Sequence, residues 1–103
     1  MDVTIAPGAD LFLDTVVTNP DGTVRDVSGA TGSFPIYDQP YGLQVLAGDM
    51  SITDGAAGQV SFTLDSADTA DYAGEFHVWF GELWLSETNG VDSRLDTVKL
   101  TLS

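Results

Sequence analysis

Cysteine is absent from the 103 residues, so disulfides, thiolate nucleophiles and thiolate metal sites are all excluded. Histidine occurs once, at His77, which leaves no two-histidine metal site and no histidine relay within one chain. Basic residues are almost as scarce. Arg25, Arg94 and Lys99 are too few and too scattered to displace counterions from a nucleic-acid backbone, so no nucleic-acid partner is expected. No apolar run approaches the roughly 18–20 residues that a membrane helix requires, and no membrane partner is expected. Met1-Asp2-Val3-Thr4 shows no basic region leading into an apolar stretch, so no secretory signal is expected.

What the chain has in excess is carboxylate. Sixteen acidic residues, thirteen of them Asp, give a formal net charge of −13. The acids are spread along the whole length, which fits a surface adapted to high salt better than one acidic block built for a basic partner. Abundant Asp, Val and Thr with almost no Lys resembles the composition of proteins from extreme halophiles. Such a protein should unfold in low salt. With 43% hydrophobic residues and ten aromatics, the chain can also bury a core, so it is one folded domain over 1–103 and not an acidic tail.

Turn signals recur every eight to twelve residues or so, as in an all-β sandwich. They include Asn19-Pro20-Asp21-Gly22, Ser28-Gly29, Asp54-Gly55 and Asn89-Gly90. Between them lie β-rich runs at 11–18, 31–37, 42–52, 59–64, 75–80, 83–87 and 95–102. Val60, Phe62 and Leu64 alternate with polar neighbours, as do Val98, Leu100 and Leu102; this period of two predicts half-buried antiparallel strands. The fold class is an all-β, immunoglobulin-like antiparallel β-sandwich of about seven or eight strands. The segment 66–72 reads as a single helical turn between strands.

Asp68-Thr69-Ala70-Asp71-Tyr72-Ala73-Gly74, just before an alternating strand, matches the tyrosine corner of immunoglobulin-like domains. Asp68, Tyr72 and Gly74 are therefore candidate corner residues. Tyr72 would carry the hydroxyl that bonds back to the backbone. Phe80-Gly81-Glu82-Leu83 suits a two-residue hairpin with Gly81 at the first turn position. Phe76, Val78 and Phe80 would then point inward, leaving Trp79, Trp84 and His77 together on the outer face. Exposed aromatic pairs mark protein interfaces and also make platforms for sugars. Tyr37 and Tyr41 flank a loop around Pro40 and form a second candidate contact, while Pro35 within its run predicts a sheet edge or a bulge. A two-residue turn at Asn89-Gly90 would set Arg94 opposite an inward Leu85, so a longer loop or a bulge is expected there.

No catalytic set can be assembled. Ser and Asp abound, but there is no nucleophile-elbow sequence, and the chain is not expected to be an enzyme. Asp65, Asp68 and Asp71 recur every third residue and could face one cation. Capping of the turn by Asp65 or Ser66, with the other acids solvated, is the simpler expectation. Asn19, Asp21 and Asp26 lack the spacing of a calcium loop. No cofactor or metal is expected.

Three segments together resemble a known family: 19–30 (Asn-Pro-Asp-Gly-Thr-Val-Arg-Asp-Val-Ser-Gly-Ala), 52–62 (Ile-Thr-Asp-Gly-Ala-Ala-Gly-Gln-Val-Ser-Phe) and 68–76 (Asp-Thr-Ala-Asp-Tyr-Ala-Gly-Glu-Phe). The chain over residues 10–102 is similar to small immunoglobulin-like domains of tailed viruses, including the N-terminal domain of phage baseplate upper proteins. The resemblance implies a structural virion protein on the head, neck or tail that acts by protein–protein contact. It would be present in multiple copies, with other virion proteins as partners. Taken with the composition, it implies a tailed virus of a haloarchaeon. The alternative is a carbohydrate-binding or adhesion module using the same aromatics.

Overall fold

Short runs of β-branched and aromatic residues, cut by turn-forming glycine and asparagine, leave the chain little choice but strands. The computed structural model describes residues 1–40, 42–72 and 76–102. Along these run β1 (Asp2–Ile5), β2 (Leu11–Val16), β3 (Thr31–Tyr37), β4 (Gln44–Asp54), β5 (Gln59–Leu64), the five-residue helix α1 (Ser66–Ala70), β6 (His77–Ser86) and β7 (Asp92–Leu102).

The ladder order is β1-β7-β6-β3-β4-β5-β2. Strand β4 serves both layers: its first half pairs with β3 (Phe34↔Gly48, Ile36↔Leu46) and its second half with β5 (Met50↔Phe62, Ile52↔Val60). One layer is therefore β1-β7-β6-β3-β4 and the other β4-β5-β2. All pairings are antiparallel except β1 with β7, which is parallel. With β2, β5 and β4 in the places of strands B, E and D of one layer, and β3, β6 and β7 in those of C, F and G of the other, this is the immunoglobulin arrangement, with β1 lying along the last strand. The domain is an immunoglobulin-like all-β sandwich.

The core lies between the layers. Leu11, Leu13, Val60, Phe62 and Leu64 from one layer meet Phe34, Ile36, Leu83, Leu85, Val98, Leu100 and Leu102 from the other. The alternations read in β5 and β7 are the ones that are buried. Phe34 and Phe62 join the layers edge to face, with ring centroids 6.2 Å apart.

Strand β6 departs from expectation. The predicted hairpin at Gly81-Glu82 is absent; β6 runs unbroken through it and pairs with β7 from His77↔Leu102 to Ser86↔Asp92. Gly81 is in mid-strand because the ring of Phe34 fills the space its side chain would take. A Cβ there would sit 2.6 Å from Phe34 Cε1. Continuing the strand inverts the faces assigned to its first half: Trp79 points inward with Gly81, while Phe80 points outward and Phe76 is exposed. In the second half Leu83 and Leu85 point inward and Trp84 outward, as expected.

The turn after β6 is both longer and bulged. Glu87 N–H donates to Val91 C=O and Gly90 N–H to Glu87 C=O, with Gly90 at φ 86°, where a side chain would be strained. The register then jumps from Trp84↔Arg94 to Leu83↔Asp96, so Leu95 is the extra residue. The bulge spares Arg94 from the core and sets it opposite outward Trp84. Pro35 was expected at a sheet edge or a bulge; β3 is an inner strand between β4 and β6, and its register against β4 shifts just after Pro35, between Ile36 and Tyr37. Pairing with β6 skips from Ser33↔Trp84 to Ile36↔Gly81, and the missing N–H of Pro35 falls in that gap.

Candidate functional site

The outer face of the larger layer gathers most of the chain's partly exposed aromatics. Register places Tyr37 beside Phe80 and Ser33 beside Trp84, with Trp84 in turn beside Arg94 on β7. Glu82 stands between them on β6 and binds two neighbours. Its Oε1 accepts from Trp84 Nε1 at 3.1 Å, and its Oε2 pairs with Arg94 Nη1 at 3.2 Å. One carboxylate thus fixes both an indole and a guanidinium, and both are then held in place on a half-buried surface.

Two adjoining hollows share Tyr37 and Glu82. One, of about 520 Å³, reaches past Trp84 and Pro35 to Asp92; the other, of about 560 Å³, is bounded by Phe80, Pro40, Arg94 and Thr97. Both are shallow. Together they make a broad apolar floor crossed by a Glu–Arg pair. Arg94 and Lys99, two of the three basic side chains, project from β7 at its side.

The candidate residues are regrouped by this face. Trp84 and Tyr37, assigned to two separate patches, share it. Trp79 does not: it is 4% exposed, in the core, and cannot contact a partner. The reason is parity. Five residues separate Trp79 from Trp84, and in a continuous strand an odd separation puts them on opposite faces. His77 follows Trp79 and stacks on it, with centroids 5.1 Å apart and the planes at 26°. Tyr72 packs edge-on against both rings, at 5.3 Å from His77 and 4.8 Å from Trp79. Phe80, Glu82 and Arg94 were missed as site residues. The signal that could have found Arg94 was the clash that keeps it out of the core; Phe80 and Glu82 depend on Gly81 lying in mid-strand.

The corner takes a different form from the one expected. Among the described residues no group hydrogen-bonds the Tyr72 hydroxyl, so Tyr72 anchors the crossing by ring packing. Its main-chain N–H donates to Thr69 C=O. Asp68 lies in the first turn of α1, where a negative charge suits the helix N-terminus. Gly74 and Tyr41 lie outside the described residues. The side chain of Asp65 makes no cap bond; Asp10 does so instead, its Oδ1 accepting from Ser66 N–H at 2.6 Å. Thr69, fully buried, accepts from Gly8 N–H at 2.9 Å and donates to Ser66 C=O at 3.3 Å.

No group of three or more His, Asp or Glu side chains among the described residues is placed to hold a metal ion, Asp65, Asp68 and Asp71 included. Asp21 accepts from the Thr23 hydroxyl and backbone, and these bonds hold its carboxyl below its ordinary value. Asp26 is held low in the same way by the Ser28 side chain and N–H. Both carboxylates are therefore committed to turn structure. Arg25 and Glu87 form a two-pronged pair, Nε–Oε1 and Nη2–Oε2 both 2.6 Å, tying the segment after β2 to the end of β6.

No protein-family model matches the chain, and no curated protein matches it. Among solved structures, murine CRIg is similar at 10% identity and a TM-score of 0.45, the match covering 99% of this chain and 92% of that one.

Proposed function

We propose that this domain is a structural virion protein of a tailed, haloarchaeal virus, and that it works by protein–protein contact through the outer face of β7-β6-β3-β4. The contact reading rests on one observation: Glu82 holds Trp84 and Arg94 in place on a floor of Tyr37, Phe80 and Pro35. Half-buried aromatics with a fixed Arg beside them are the composition of interface anchors. A sugar platform fits less well, because the indole N–H that would bond a hydroxyl is already engaged by Glu82. The place in a virion is supported by the sequence resemblance and by the halophile-like charge. A contact module of this kind would be repeated according to the symmetry of the particle.

Cryo-electron microscopy of the particles tests both parts. Ordered copies of the sandwich on the head, neck or tail, with Trp84 and Tyr37 buried against a neighbour, are the expected result. Particles lacking the chain would overturn the virion role, and glycan binding lost on Trp84→Ala would replace it with the carbohydrate reading. Copies docked through some other surface would retain the virion role and remove this face from it.

A further inference from the structure

Strand β2 ends the smaller layer, and β5 is its one strand neighbour, in an unbroken register from Leu11↔Leu64 to Val16↔Gln59. Val17 N–H donates to Gly58 C=O, which sets the phase of that ladder. Odd-numbered residues turn their main-chain groups towards β5, so Phe12, Asp14 and Val16 turn theirs to the open side. No described strand, turn or side chain takes those groups. The same three residues carry their side chains on the outer face, where Phe12 is 66% and Val16 53% exposed.

Sheet edges are usually protected by shortness, bulges, proline or charged side chains, lysine above all; the one charge on β2 is Asp14, whose effect salt screens. The other edges here are protected: β1 has four residues, and β4 is bulged at Val45 and Thr53. Strand β2 has neither bulge nor proline nor basic residue. It is also self-complementary. A twofold axis through Asp14 sets Phe12 of one molecule opposite Val16 of the other, twice over, and each such pair exchanges two N–H···O=C bonds. Aromatic against β-branched is a favourable cross-strand pair.

We propose that β2 is a dimerisation edge, pairing antiparallel with β2 of a second copy to join the two smaller layers into one sheet. This surface is separate from the face carrying Trp84, and the inference does not depend on the role assigned to that face. Asp14 opposes Asp14 of the second copy, in molecules of charge −13 each, so the dimer belongs to high salt. Screening lengths fall from about 10 Å at ~0.1 M to about 3 Å at ~1 M.

Sedimentation equilibrium of the full chain in roughly 2 M salt, where screening is complete, should show a dimer that Phe12→Lys converts to monomer. At about 0.1 M salt, where the opposed charges are poorly screened, Asp14→Asn should tighten it roughly tenfold. The absence of native cysteine allows a register test. Opposed residues of such a pair lie about 5.5 Å apart at Cα, within disulfide range, so Asp14→Cys should cross-link on oxidation and Thr53→Cys should not. A monomer at every salt concentration for both the native chain and Asp14→Asn would overturn the proposal. So would a dimer indifferent to Phe12→Lys, or cross-linking at Thr53→Cys in preference to Asp14→Cys.

Discussion

Gly81 and Phe34 form a matched pair: the one lacks a side chain where the other places a ring edge. Phe34 is 1% exposed and packed against Phe62, so it has nowhere to move. Gly81→Ala should therefore cost about 1–3 kcal/mol by overpacking, seen as a lower denaturation midpoint at fixed salt, and Phe34→Leu should recover part of it in the double variant. A neutral Gly81→Ala would mean the ring is not confined. The two tryptophans separate at the same scale. Trp79→Ala opens a core cavity under Tyr72 and His77 and should cost about 3–5 kcal/mol, whereas half-buried Trp84→Ala should cost about 1 kcal/mol. Nothing local in the sequence distinguishes a mid-strand glycine from a hairpin glycine. The deciding contact is with a residue three strands earlier in the chain, and the hairpin reading failed for that reason.

At the scale of elements, α1 shows how a short segment is held by distant ones. Five residues cannot sustain a helix unaided. Asp10 accepts from its first N–H, and the buried Thr69 hydroxyl accepts from Gly8, so the loop before β2 and the turn after β5 stabilise each other. Thr69→Val keeps the shape and strands the Gly8 N–H, and should cost about 1–3 kcal/mol with faster hydrogen exchange at Gly8. Unchanged exchange would show that the tie is idle. The turn at Asn19–Asp21 carries a pH dependence of known sign. Asp21 is held below its ordinary value of 3.8, first by the Thr23 hydroxyl and then by its N–H. A depressed folded value means the stabilisation is present above 3.8 and is lost as pH falls through the folded one. An NMR titration should find Asp21 titrating lower than in Thr23→Ala. Strands β5 and β7 were legible because each alternates between one wet and one dry face, and β2 and β3 because they are β-rich runs bounded by turn residues. The bulge at Leu95 was legible because Arg94 could not be buried. The Asp10 cap was not, since it joins residues that no sequence period connects.

The whole molecule carries −13 with little internal compensation. Among the described residues two ion pairs form, Arg25 with Glu87 and Arg94 with Glu82, and the other carboxylates face water or hydrogen-bonded turns. Exposed Asp occurs on both layers, at Asp14 and Asp49 as at Asp92 and Asp96, so folding brings like charges together on every side. Unfolding relieves that repulsion, and salt removes the advantage of unfolding by screening it. Stability should therefore rise steeply between about 0.1 and 1 M sodium chloride, as the screening length falls from about 10 to about 3 Å. Preferential exclusion would also raise stability, but it depends on the identity of the salt and not on the protein's charge. Neutralising Asp14, Asp49, Asp92 and Asp96 together to Asn separates the two. If repulsion governs, the variant needs less salt to fold and its denaturation midpoint changes less with sodium chloride. If the native chain and the variant gain equally from salt, the carboxylates do not set the requirement. A native chain fully stable without added salt would remove the high-salt reading of the sequence altogether.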